Sequence, residues 1–179
     1  MKEFHAQPGD ILVYSDAKND IDRLIQFGEE CIRHNKERGQ PIAFHVAVAL
    51  GAFHKIEAIA SGVTIDLIDY RQCSVFRPPY NRTKMERALI WAARQKGKLY
   101  GWVGDMDQAL RDLTFNRVHL PRAFIQWADK KWPYCSYFDA GFMVRAGYND
   151  MVSKEYQIPK WPPPDPEAIF LLVRRWPVK

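Results

Sequence analysis

The sequence predicts an α+β fold built on an antiparallel sheet. Two observations point to it. Between residues 43 and 77 short apolar runs follow one another, separated by Gly, Ser and Pro turns, as in adjacent hairpins. Segments of helical spacing flank these runs on both sides, at 19–36, 82–96 and 135–146. With 179 residues the chain is long enough for one domain with a sizeable core, and no boundary splits 1–179.

In chain order, DILVY at 10–14 follows a Pro-Gly turn and reads as a strand. Ile21, Leu24, Ile25, Gly28 and Ile32 recur at near-helical spacing, and Gly39 and Pro41 stop that helix. AFHVAVAL at 43–50, KIEAIA at 55–60, VTIDLID after Ser61-Gly62, and CSVFR before Pro78-Pro79 read as four strands. RTKMERALIWAARQK at 82–96 is a helix closed by Gly97, and 106–113 a short one. CSYFDAGFMVRA at 135–146 places Phe138, Phe142, Met143 and Ala146 on one helical face, with Gly147 where a C-terminal cap belongs. WPPPDP at 161–166 reads as stiff and extended, leading into IFLLV as a last buried strand.

Composition narrows the function. The chain is 47% apolar and 26% charged, so it is not a disordered polyelectrolyte. No run approaches the roughly 18 apolar residues of a membrane span. The net charge is +5, with basic and acidic residues intermixed as on a solvated surface; attraction to an anionic polymer stays open. The three cysteines, Cys31, Cys73 and Cys135, give neither a disulfide framework nor a metal knuckle. MKEFHAQPGD lacks the pattern of a secretory signal, so a reducing, cytoplasmic setting with free thiols is the expectation. Aromatic content is high, at 13% with six tryptophans.

Three residues invite chemistry. On the strand at 43–50, Phe44, Val46, Val48 and Leu50 alternate onto a bulky face, leaving His45, Ala47 and Ala49 on a small one. His45 is either a histidine satisfied by a backbone carbonyl or a base met by a neighbouring element. A loop near 51–52 sets Glu57 opposite His45 or diagonal to it, and a carboxylate there orients an imidazole. The alternative is a solvent-facing glutamate, and a one-residue slip would move it to the other face. Cys135 opens a helix behind Pro133, where unpaired N–H groups favour a thiolate. The plain alternative is a buried structural thiol, which suits Cys31 and Cys73 better. Together, a nucleophile at a helix start, a base on a strand and an orienter on its partner make an activated-nucleophile arrangement.

With these residues in view, the sequence resembles the NlpC-type papain-like cysteine peptidases. The closest likeness is to their circularly permuted YiiX/YaeF-like branch, which is related to lecithin-retinol acyltransferase. The resemblance is carried by Gly9-Asp10-Ile11-Leu12-Val13-Tyr14, Phe44-His45-Val46-Ala47-Val48, and Ile56-Glu57-Ala58 with Gly62-Val63. It continues in Gly97-Lys98-Leu99-Tyr100-Gly101, Tyr134-Cys135-Ser136, and the closing segment Pro163 to Val173. As in permuted members, histidine precedes cysteine. Tyr137 stands where many of them carry Glu after Cys-Ser.

The resemblance implies a papain-like fold, with an antiparallel sheet packed against helices and the nucleophile at a helix N-terminus. It implies that Cys135 attacks an amide or ester carbonyl, that His45 acts as base and then acid, and that Glu57 orients His45. Tyr100 or the Cys135 N–H would stabilise the oxyanion. It implies no metal or organic cofactor, and the sequence carries no Gly-rich phosphate loop or zinc-type spacing. The expected substrate is a peptide or peptidoglycan fragment, cleaved by an endopeptidase or amidase. Without an export signal, wall access would come by lysis or phage-type delivery. Nucleic acid is not an expected partner, and oligomeric state is open. Two other readings stand beside this one: an acyltransferase or lipid deacylase with the same triad, and a non-catalytic domain that binds polymer through tryptophans and basic charge. Trp102, Tyr134 and Tyr137 are the expected substrate-binding rings, walling the site with Tyr100 and Trp132. Phe44, Phe138, Phe142 and Trp91 are expected in the core.

Overall fold

The computed structural model describes residues 5–15, 43–101, 107, 110, 114, 117–131, 133–158 and 166–178. The expected helix at 19–36 lies outside them, as does most of the one expected at 106–113. Five strands form one sheet: β1 (Ile11–Tyr14), β2 (His45–Ala49), β3 (His54–Ile59), β4 (Gly62–Leu67) and β5 (Cys73–Phe76). Their order is β4-β3-β2-β1-β5, and every neighbouring pair is antiparallel. The helices are α1 (Arg82–Ala93), α2 (Arg122–Lys131), α3 (Cys135–Arg145), α4 (Tyr148–Met151) and α5 (Pro166–Val173), with a 3-10 turn at Lys154–Tyr156. The molecule is therefore α+β with an antiparallel sheet, as expected, and the sheet has five strands.

Ile-Leu-Val-Tyr is buried along its whole length because β1 is an interior strand with side chains packed on both faces. Ile11 and Val13 point to the helical side, into a core with Val46, Val48, Ile56, Phe138 and Phe142. Leu12 and Tyr14 point to the other side, with Ala47, Ala49 and Val75. Gly9 turns the chain into β1 with φ +91°; a side chain there would also strike Met85. Asp10, almost wholly buried, accepts two 2.8 Å bonds from the Arg77 guanidinium, which ties the entry of β1 to the exit of β5.

α1 starts where predicted, with the Asn81 side chain accepting from the Lys84 N–H at 3.0 Å. α3 lies on β2 and β3 and against α1. It ends at Ala146, with Gly147 beyond it at φ +87°.

Three features differ from expectation. IFLLV is helical: it belongs to α5. Asp165-Pro166-Glu167 is a helix-start signal, with proline at the first helical position. Ile169 and Val173, four residues apart, are fully buried while Leu171 between them is 43% exposed, which is helical rather than two-sided burial. Phe44 does not share a face with Val46. It precedes the first residue of β2 and packs with Leu12 and Tyr14, because regular alternation begins only at His45. α2 was not anticipated; its buried contacts are Ile125 and Ala128, three apart, too few to show a period in the sequence.

Candidate active site

His45 is the first residue of β2 and stands opposite Tyr14 of β1, the two rings 5.4 Å apart between centroids. β2 pairs with β3 through Val48↔Ile56 and Ala49↔Lys55. One further step along that register sets Glu57 beside Ala47, diagonal to His45. A glutamate is long enough to close a diagonal: Glu57 Oε2 lies 2.8 Å from His45 Nε2. The side chains are 16% and 6% exposed respectively, so the pair is largely shielded from water. With Nε2 engaged by the carboxylate, Nδ1 is the ring nitrogen left to exchange a proton with another group.

Two neighbours complete this cluster, and the sequence reading missed both. Lys55 precedes Glu57 by two residues and so shares its face of the strand. Its Nζ donates to the same oxygen, Oε2, at 2.7 Å. That ammonium also sits 4.5 Å from the centroid of the Tyr14 ring. The i, i+2 spacing of Lys55 and Glu57 was the available signal. Burial pushes the Glu57 carboxyl up. The hydrogen bond and charge of His45, then those of Lys55, more than offset it and hold the group below its ordinary range. Glu57 is thus an anion fixed between two cationic or potentially cationic partners. The Tyr14 hydroxyl is held protonated, first by burial and then by the nearby Cys73 and Glu57.

Cys135 is the first residue of α3, and Tyr134 caps that helix in extended conformation. The thiol is 4% exposed and packs in the helical-side core with Val46, Val48 and Ile56. By strand alternation His45 and Glu57 belong to the opposite side, with Ala47 and Ala49. Backbone contacts relate the start of α3 to one end of the sheet. Phe142, two turns along α3, lies over Gly9, at the end of the sheet where β1 starts and β2 finishes. The start of α3 is tied to the other end. The Val63 N–H donates to the Lys98 carbonyl at 2.8 Å, and the Gly101 N–H to the Pro133 carbonyl at 3.3 Å. Val63 pairs with Ala58, next to Glu57. A short chain of contacts thus runs from the Glu57 strand through 98–101 to Pro133 and Cys135.

Tyr100 lies on this connection and packs against the core cluster that contains Cys135. Tyr134 is buried, and its ring lies 5.8 Å from that of the half-buried Tyr137. Trp102 and Trp132 lie outside the described residues. Of the rings expected in the core, Phe138 and Phe142 are buried in the helical-side cluster, with Trp91 stacked on Phe138 at 5.6 Å. Phe44 is buried on the other side. Cys73 is no rival nucleophile: burial, the largest influence, pushes its thiol up to about 11.

A further buried group escaped the sequence reading. Asp139, one turn beyond Cys135 on α3, is fully buried, and among the described residues neither carboxyl oxygen has a hydrogen-bond partner. Burial, and then the charge of Glu57, push it well above the ordinary carboxylate range, which favours the protonated form. Its place on the core-facing side of the helix, with Phe138 and Phe142, was the one available clue. Among the described residues no three His, Cys, Asp or Glu side chains gather as a metal site would require, and no helix is long and apolar enough to cross a membrane. Compared with models of protein families, with curated proteins and with solved structures, the chain matches none.

Proposed function

We propose that the protein is a cysteine hydrolase of the permuted NlpC-type, papain-like kind, cleaving amide bonds in peptide or peptidoglycan stem-peptide substrates through an acyl-enzyme. One observation carries this reading. A largely buried imidazole is held at 2.8 Å by a buried carboxylate, in a protein whose third helix begins at a cysteine.

In the proposed reaction His45 Nδ1 takes the Cys135 proton at the start of β2. Nε2–H stays on the Glu57 carboxylate, which fixes the tautomer and stabilises the imidazolium. The thiolate, favoured by the first turn of α3, attacks the carbonyl carbon and forms a C–S bond. The Cys135 N–H and the Tyr100 hydroxyl hold the oxyanion. The intermediate collapses, the C–N bond breaks, and the imidazolium protonates the leaving amine. Water, deprotonated by His45, then hydrolyses the thioester and frees Cys135. Tyr134, Tyr137 and Trp102 line the substrate cleft in this reading.

The test is alkylation by iodoacetamide at pH 7, followed peptide by peptide in a mass spectrometer. Cys135 is expected to react faster than Cys31 and Cys73, and His45→Ala to slow that reaction with the fold intact. Incubation with muropeptides is expected to give an acyl adduct on Cys135. His45→Ala is expected to lower turnover by about 10²–10⁴-fold. Equal labelling of the three thiols, or full turnover by His45→Ala, refutes the assignment.

A further inference from the structure

α2 turns outward a surface that the proposed hydrolysis does not use. Its inner side is anchored by Ile125 and Ala128. Its outer side carries Phe124 and Trp127, also three residues apart, 45% and 52% exposed. Their rings stack on each other, with centroids 6.0 Å apart and planes at 21°. Val118, just ahead of the helix, is 48% exposed. Cations border these rings. The Lys131 ammonium stands 5.5 Å from the centroid of the Trp127 ring, and Arg117 and Arg122 are exposed. From 117 to 131 the sequence has four basic residues against the single acid Asp129. A stretch of this length therefore concentrates much of the chain's modest positive charge.

Large exposed apolar side chains beside cations suit a surface that offers both an apolar layer and negative charge. A polyanion such as nucleic acid would use the cations. It would find one face of each ring already covered by the other, and would gain little from the valine. The interface of a bilayer supplies both parts: an acyl boundary for the rings and valine, and phosphates for the lysine and arginines. We propose that α2 is a docking face for an anionic lipid surface, with Phe124, Trp127 and Val118 seated at the acyl boundary and Arg117, Arg122 and Lys131 against the headgroup phosphates. The inference is independent of the hydrolase reading, since it uses none of Cys135, His45 or Glu57.

Co-sedimentation of the full chain, carrying Cys135→Ala, with vesicles tests it. Binding is expected to phosphatidylglycerol/phosphatidylcholine vesicles, to weaken with salt, and to be slight on pure phosphatidylcholine. Phe124→Ser with Trp127→Ser is expected to lower vesicle affinity by about tenfold or more. Arg122→Glu with Lys131→Glu is expected to abolish the preference for anionic lipid. All four side chains are solvent-facing, so unchanged thermal unfolding will show that each variant is folded. Three results each overturn the proposal: no binding at low salt, binding unchanged without the two rings, or self-association through these rings with no vesicle binding. Salt-sensitive binding to soluble nucleic acid that ignores the rings would assign the face to a polyanion and overturn it as well.

Discussion

Replacing Asp139 by asparagine is expected to stabilise the protein at neutral pH, by an amount that grows with pH. The carboxyl is fully buried on α3, without a hydrogen-bond partner among the described residues, and under the influence of ionised Glu57. In the unfolded chain the same group ionises near about 3.9. The native state keeps the proton well above that value, because burial, and then Glu57, penalise the charge. The sign follows from proton counting. Below about pH 4 both states are protonated and the native state carries no penalty. Above it the unfolded state releases a proton that the native state retains, so stability falls by about 1.4 kcal/mol per pH unit until the native group ionises. Asparagine has nearly the same shape and does not titrate. The advantage of Asp139→Asn over the parent is therefore expected to rise with pH between 4.5 and 6.5, by at most about 1.4 kcal/mol per unit. In a chain of this size each kcal/mol moves Tm by about 2–4 °C, so the gap in Tm widens by at most about 3–6 °C per pH unit. Urea or thermal unfolding of both proteins across that range measures it, and groups common to both cancel in the difference. A stability difference that does not change with pH would refute the reasoning, since it would mean that Asp139 titrates normally in the folded protein.

Two further substitutions probe the neighbourhood of the site. Lys55→Met removes one of the two partners that hold Glu57 ionised. A lowered carboxyl stabilises the fold above its unfolded pKa and loses that contribution as pH falls through the folded one. The acid limb of stability in Lys55→Met is therefore expected at higher pH than in the parent; superimposable acid unfolding curves would count against the Lys55–Glu57 pairing. Gly62→Ala meets two obstacles, a backbone at φ +119° and a Lys98 carbonyl oxygen 2.5 Å from the new methyl. It is expected to cost about 1–3 kcal/mol, read as a Tm lowered by several degrees. Because Val63 holds Lys98 on the connection to Pro133, Cys135 alkylation is expected to change as well; an unaffected Tm would show that the turn relaxes freely.

Strand segments were legible because alternation and turn residues are local signals. β2 to β5 lie where hydrophobic runs end at Gly, Ser and Pro. α1 and α3 were legible through period and terminal glycines, with Gly97 after one and Gly147 past the end of the other. α5 was misread because a short apolar run has no period of its own, and the deciding signal lay in Asp165-Pro166-Glu167 ahead of it. The His45–Glu57 pairing was legible because a short hairpin loop limits the registers open to two strands. Lys55 was in reach of the same argument.

Taken alone, then, the sequence determined the α+β class, the five strand segments, the helix that begins at Cys135, and the nearness of Glu57 to His45 across a hairpin. All of these follow from interactions between residues close in sequence. Tertiary structure alone decided which face of the sheet α3 covers. It also decided that Asp139 is sealed in the core, that Lys55 shares the Glu57 oxygen, and that Phe124 and Trp127 face outward. Those outcomes depend on desolvation and on contacts between segments far apart in the chain, and no local pattern encodes either of them.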